Sequence, residues 1–290
     1  MTRTLRLATR RSPLAMTQSG MVAAAVTAAT GRAVELVEIT TYGDTSQATN
    51  ELIAQIGGTG VWVNSLREAL LREDVRDVLV ARDGHKLADL PAGARIGTGS
   101  LRRAAQLRLL RPDLEIVPIR GNIDTRAGFV SSGKLDGVVL AYAGLSRLGR
   151  ICEATDFFDP AEFLPAPGQG ALAVECREDD TALREALAEL DHRPTRAATV
   201  AERALLATLE AGCSAPVGGY AQVHHDNGDE LTLAGVVASA EPRDGAIQSV
   251  HGSLTGPTDE AARLGAELAA RMLAQGAAAL MTAVQVGDSQ

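Results

Sequence analysis

The pattern that most constrains this chain is a strand, a Gly- or Arg-bearing turn and a capped helix, and it recurs. In the middle third, ARIG (94–97) reads as a strand, TGS as a turn and 100–111 as a helix. EIVPI (115–119), an RGN turn and a helix over 123–132 repeat that order, and DGVVLA (136–141) follows as another strand. Near the start, 5–8 alternates like a short strand. Ser12-Pro13 then supplies an N-cap and a first helical position for a helix reaching Gly31. A second strand covers 34–41, and WVNSLREALLR (62–72) has helical apolar spacing. Strands alternating with helices predict parallel α/β sheets. Another strand, 171–175, follows the Pro/Gly segment LPAPGQG (164–170), which reads as a crossover between two lobes. After Pro194 the order changes to a helix over 195–210, strand-like runs at 219–224, 231–238 and 246–251, and a helix over 258–275. That is an α+β module. At roughly 150 residues per domain, 290 residues accommodate two domains or three small ones.

Charge narrows the partners. The chain has 28 basic and 36 acidic residues, a formal charge of −8, which argues against a general nucleic-acid binder. All the basic residues except Lys86 and Lys134 are arginine, a bias that a GC-rich genome would produce without any function. Their placement is more telling. Arg95, Arg102, Arg103, Arg108, Arg111, Arg120 and Arg126 are opposed in the window 95–126 only by Asp113, Glu115 and Asp124. Arg3, Arg6, Arg10 and Arg11 form a second, acid-free cluster. Guanidinium forks match carboxylate and phosphate, so a small polyanion is the substrate class to expect. No apolar run approaches a membrane span, and the N-terminal segment lacks the apolar core of a signal peptide, so a cytoplasmic protein without membrane contact is expected.

Three turns carry the arginines. Gly97-Thr98-Gly99-Ser100-Leu101-Arg102-Arg103 joins a strand to a helix whose first N–H groups have no helical acceptors and can meet an anion. It is not a dinucleotide fingerprint, because Arg102 stands where the third glycine would be. Read blandly, it is a tight turn with two solvated arginines. Arg120-Gly121-Asn122, with Arg126 one helical turn on, repeats the geometry at the next strand end, where open α/β sheets bind ligands. Arg10-Arg11-Ser12 is the third such turn. Among the cysteines, Cys152 and Cys176 read as small buried apolar residues, whereas Cys213 lies in the Gly/Ser/Pro turn EAGCSAP (210–216) and is exposed to chemistry. The histidines show no metal-ligand spacing, and no metal is expected.

Taken together, RLATRRSPLA (6–15), ITTYGD (39–44), IGGTGVWV (56–63), GTGSLRR (97–103), IRGNIDTR (119–126), LAYAGLSRLG (140–149), LPAPGQGALAVECR (164–177) and ERALLATLEAGCSAPVGGYA (202–221) resemble the porphobilinogen deaminase (hydroxymethylbilane synthase) family, in order along the whole chain. The resemblance implies two α/β lobes like those of periplasmic binding proteins plus a smaller α+β C-terminal domain. The expected division is 1–92 with 171–190 for lobe 1, 93–170 for lobe 2 and 191–290 for the third domain. It implies a dipyrromethane cofactor held by Cys213 through a thioether. Four porphobilinogens would be condensed head to tail with loss of ammonia, and hydrolysis would release linear hydroxymethylbilane. Each pyrrole bears an acetate and a propionate, so the growing chain is a polyanion. Arg102, Arg103, Ser100 and Thr98 are expected to bind the cofactor, and Arg10, Arg11, Ser12, Arg120, Asn122 and Arg126 the substrate. A monomer is expected, with no nucleic-acid partner.

One departure stands out. The family's catalytic aspartate is expected in a segment reading roughly HSxKDxP after the helix that ends near Leu71-Arg72. This chain passes directly from ALLR (69–72) to EDVRDVLVARDG (73–84), so the catalytic residue is unassigned. HKLADLP (85–91) resembles the absent motif superficially and reads as the interdomain linker, which leaves Asp89 as a stand-in at best. One strand of lobe 1 is expected to be absent with that loop, and its neighbours to re-pair, since buried backbone groups need partners. The alternative function is a catalytically impaired paralogue that binds tetrapyrrole precursors or another small polyanion without turnover. Thr59 and Trp62, where the family often has Lys and Phe, read as tolerated variation.

Overall fold

A computed structural model of the chain describes residues 4–39, 65–69, 72–212, 215–224, 229–242 and 245–281. The best-formed unit is a five-stranded sheet of order β6-β5-β7-β4-β8. Its strands are β4 (Asp77–Ala81), β5 (Arg95–Thr98), β6 (Glu115–Pro118), β7 (Gly137–Ala141) and β8 (Asp156–Phe157). β5 runs parallel to β6 and β7, and β4 runs antiparallel to β7, pairing Asp77 with Ala141 and Ala81 with Gly137. Val78, Leu79, Val80, Val138, Val139 and Ile96 form its buried ladder. β4 is buried on both faces, which a run such as DVLVA supplies without alternation.

The expected boundary at 92 falls between β4 and β5 of this one sheet. β4 hydrogen-bonds within this sheet and packs with Ile96, Leu107 and Val139. Three helices follow strands of this sheet: α2 (Leu101–Leu110), α3 (Ile123–Ser131) and α4 (Tyr142–Arg147).

Lobe 1 is smaller. β1 (Leu5–Thr9) pairs in parallel with β2 (Val34–Glu38), and α1 (Pro13–Thr30) connects them. The helix expected across 62–72 does not form at its centre. Instead β3 (Ser65–Ala69) is a strand antiparallel to β9 (Ala173–Arg177). β9 presents the buried Val174 to the lobe core and needs a hydrogen-bonded neighbour along its edge. Pairing with 65–69 meets that need and overrides a local helical spacing. Among the described residues, β1–β2 and β3–β9 are therefore separate two-stranded sheets. They share one core: Leu5, Leu7 and Val34 pack with Val174 and Cys176 against Val22 and Val26 of α1 and Leu187 of α5 (Thr181–Ala188).

The C-terminal domain is an antiparallel sheet of β10 (Val217–His224), β11 (Glu230–Ala238) and β12 (Ser249–Pro257). α6 (Arg193–Thr208) and α7 (Ala261–Ala274) bury Leu205, Leu264, Leu268 and Met272 against Leu231, Leu233 and Val237, and α8 (Ala277–Met281) closes that core. A buried Glu202 on α6 joins the parts. It accepts from Arg72 at 2.7 and 3.1 Å, from the Gly168 amide at 2.6 Å and from the Ala221 amide at 2.8 Å. Burial nonetheless lifts its carboxyl above the usual range, against the pull of Arg72 and the two amides.

Candidate anion site at the strand ends of lobe 2

β5 ends at Thr98 beside Pro118 of β6, so the two basic turns that follow are neighbours by register. At the first, Ser100 caps α2 by accepting from the Arg103 amide at 3.4 Å, and Thr98 accepts from the Ser100 amide at 3.2 Å. Gly99 is required there: a Cβ at this position would fall 2.5 Å from the Ile119 carbonyl oxygen. At the second, Asn122 caps α3 by accepting from the Thr125 amide and hydroxyl, both at 2.9 Å. Gly121 holds φ +111°, where a side chain would be strained and would press on Thr125 at 2.7 Å. Arg126 donates from Nε to the Gly121 carbonyl at 2.9 Å, fixing its guanidinium over the turn.

The third basic turn belongs to lobe 1 and is brought to the second. α1 packs against α4, and a Cβ at Gly144 of α4 would lie 3.1 Å from Ile123 and 3.9 Å from Leu14. Ile123 follows the Asn122 cap and Leu14 follows Ser12-Pro13, so the two helix starts approach the same glycine. Ser12 caps α1 by accepting from the Ala15 amide at 3.3 Å. Arg11 is exposed and ion-paired with Glu38 at 3.2 Å. Arg10 and Arg120 are half-buried.

Arg102 and Arg103 do not fit the bland reading of the turn. Both turn inward, only 4% and 8% exposed, instead of standing solvated at the turn. Arg103 donates to one oxygen of Asp77 from Nε at 3.1 Å and from Nη2 at 2.7 Å, and from Nη1 to the Val139 carbonyl at 3.1 Å. Arg102 places Nη2 2.8 Å from the other Asp77 oxygen and donates from Nη1 to the Leu164 carbonyl at 2.6 Å. Gln169 donates to Asp77 at 2.9 Å and to the Val75 carbonyl at 2.7 Å. Burial alone would raise the Asp77 carboxyl; the charges of Arg103 and Arg102 outweigh it and hold the group below the usual carboxylate range. Burial, reinforced by the charge of Arg103, lowers Arg126 from the ordinary arginine value.

Asp77, Gln106, Gln169 and Glu202 escaped the sequence reading. Asp77 had one available signal, a charged residue heading an otherwise wholly apolar strand. The other acids at this head of β4 are engaged: Asp74 with Arg76 at 2.6 Å, and Glu73 with Arg147 at 2.9 Å. Asp89 lies between the tail of β4 and the head of β5, at the end of the sheet opposite Thr98 and Asp77, so topology separates it from the three turns. Cys152 is exposed, not buried as expected, because its short 3-10 turn packs Ile151 inward instead; Cys176 is partly buried. Cys213, Thr59 and Trp62 lie outside the described residues.

The family model for the porphobilinogen deaminase dipyrromethane-cofactor-binding domain matches residues 5–75 and 70–185, and that for the porphobilinogen deaminase C-terminal domain matches 197–274. The chain belongs to the porphobilinogen deaminase family. Porphobilinogen deaminase 1 of Streptomyces coelicolor is 56% identical over 316 aligned positions, covering 96% of this chain and 97% of that protein. Porphobilinogen deaminase of Thermobifida fusca is 48% identical, covering 98% of each. Among solved structures, an arginine-specific periplasmic binding protein of Salmonella typhimurium aligns at 17% identity over 65% of this chain and 92% of its own, with a TM-score of 0.39. The match to the Streptomyces protein also shows that positions are absent from this chain. Its 316 positions take in 96% of a 290-residue chain, so roughly 38 fall where this chain has no residue. The cofactor-domain match likewise breaks into two pieces that meet at 70–75, where ALLR passes to EDVRDV.

Proposed function

We propose that this chain condenses four porphobilinogen molecules head to tail into hydroxymethylbilane, releasing ammonia, on a dipyrromethane primer bound to Cys213. The observation that carries this reading is one chain matching the family's cofactor-binding and C-terminal domains in order, with basic helix starts gathered at the strand ends of lobe 2.

The donor set fits such a primer. Arg102 and Arg103 are buried cations with the half-buried Arg126 beside them, and among the described residues Asp77 is the carboxylate that ion-pairs with this group. A surplus of buried guanidinium charge is costly unless anions complete it, and acetate and propionate groups are anions of the right class. When bound, dipyrromethane supplies the nucleophilic pyrrole carbon to which the first substrate is joined. Thr98, Ser100, Arg102 and Arg103 would hold its carboxylates. Arg10, Arg11, Ser12, Arg120, Asn122 and Arg126, together with Arg102 and Arg103, would pair with those of porphobilinogen and the growing chain. The helix starts contribute N–H groups to the same anions. No acid for the reaction is assigned, because Glu73, Asp74 and Asp77 are each committed to an arginine. We place the protein in the cytoplasm as a monomer; no described helix is long and apolar enough to cross a membrane.

The test is incubation of the purified protein with porphobilinogen, following ammonia release and uroporphyrin formation. Steady release with product supports the reading. Binding without ammonia release would instead identify a polyanion-binding paralogue.

A further inference from the structure

Arg102 and Arg103 are successive residues of one helix, which normally project about 100° apart. Here both converge on one carboxylate that neither water nor any bound molecule can reach: Asp77 is wholly buried. Its Oδ1 accepts from Arg103 twice and from Gln169, and its Oδ2 faces Arg102. A purely structural ion pair would need one guanidinium. This cluster has two, with Arg126 close enough for Arg103 to disfavour its charge. One carboxylate therefore fixes two cations while cancelling one.

The same cluster is tied to the crossover between the lobes. Arg102 and Gln106 both donate to the Leu164 carbonyl, at 2.6 and 3.0 Å, and Gln106 accepts from the Leu164 amide at 2.7 Å. Gln169, at the far end of that crossover, holds Asp77 itself.

We propose that Asp77, braced by Gln169, is a positioning residue of the anion site: it presets Arg102 and Arg103 and leaves one uncancelled charge for incoming carboxylates. This rests on the function proposed above. Asp77 touches no reacting atom. Its contribution is preorganisation, so that binding does not have to order two long, flexible side chains.

The experiment is calorimetric titration of porphobilinogen into the wild-type protein, Asp77→Asn and Gln169→Ala, with a thermal melt of each. Asp77→Asn removes the charge at nearly constant shape. Gln169→Ala removes a brace and leaves the ion pairs, so it reports even if Asp77→Asn fails to fold. The expected result is a Kd raised about tenfold in Asp77→Asn and severalfold in Gln169→Ala, the scale of one charge-assisted hydrogen bond. Gln169→Ala also leaves the Val75 carbonyl without its donor, so a modest fall in melting temperature should accompany the weaker binding. A Gln169→Ala protein, or a folded Asp77→Asn protein, that melts earlier yet binds with wild-type Kd would overturn the proposal and leave Asp77 a structural residue. A wild-type protein that binds but does not turn over speaks against the enzymatic function alone. One that does not bind porphobilinogen overturns both.

Discussion

Arg103 sets its Nε and Nη2 against a single oxygen of Asp77, at 3.1 and 2.7 Å, in a place where both side chains are nearly sealed from water. Removing one member of such a pair leaves the other charge buried and uncompensated, typically at about 3–5 kcal/mol. Asp77→Asn should therefore lower the unfolding free energy on that scale in urea denaturation. Arg11→Ala, which breaks an exposed pair with Glu38, should cost below about 1 kcal/mol. Equal losses in the two variants would contradict the burial argument.

The same pair sets a pH dependence. In the folded chain the Asp77 carboxyl is held below its unfolded value of about 3.9, so the ionised form is the one that folding favours. Its contribution is fully present above the unfolded value and is lost as pH falls through the folded one. The stability gap between wild type and Asp77→Asn should stay constant from pH 7 to about pH 5 and narrow on further acidification. A gap unchanged down to pH 3 would show that the ionised carboxylate is not what stabilises the site.

Arg120 stands at the strand end beside the Asn122 cap. Arg120→Ala should reduce kcat/KM for porphobilinogen by about 10- to 150-fold, the equivalent of one or two hydrogen bonds to a charged group. Shorter, incompletely extended products should accumulate. Steady-state kinetics with chromatographic sizing of products checks both, and full-length product at wild-type rate would remove Arg120 from the substrate contacts.

Two glycines in one turn and helix should respond oppositely. Gly121→Ala forces a side chain onto φ +111° and into Thr125, and should destabilise by about 1–3 kcal/mol. Gly128, inside α3 with open space at its Cβ position, should gain about 0.5–1 kcal/mol on substitution by Ala. Thermal melts of the two variants decide the matter.

The gap between Arg72 and Glu73 gives a gain-of-function test. Inserting an HSxKDxP-type segment with its flanking strand should raise kcat by about 10²–10³-fold, the scale of one electrostatic group acting on a developing charge. An unchanged kcat would mean that residues already in the chain supply that carboxylate.

Much of lobe 2 was legible because its signals are local. Gly99, Ser100, Gly121 and Asn122 mark caps and tight turns whose chemistry is fixed within a few residues. The C-terminal helices and strands were legible from periodicity in the same way. What was not legible depends on distant pairing. β3 is a strand because β9 needs a neighbour, although 62–72 alone favours a helix. β4 joins its sheet by pairing with β7, some sixty residues later, a contact that local spacing does not show. The arginines of GTGSLRR were recognised as an anion signal, but their inward turn depends on Asp77, twenty-five residues upstream, and on Gln169 far downstream. Buried polar networks assemble in space, and sequence spacing carries little trace of them.

The proposed function requires Cys213 to carry the primer, and the most direct measurement is the intact mass of the purified protein produced with porphobilinogen available. The predicted result is a covalent increment of one dipyrromethane that reacts with Ehrlich's reagent, maps to the peptide holding Cys213 and disappears in Cys213→Ser. A wild-type protein of unmodified mass would contradict it.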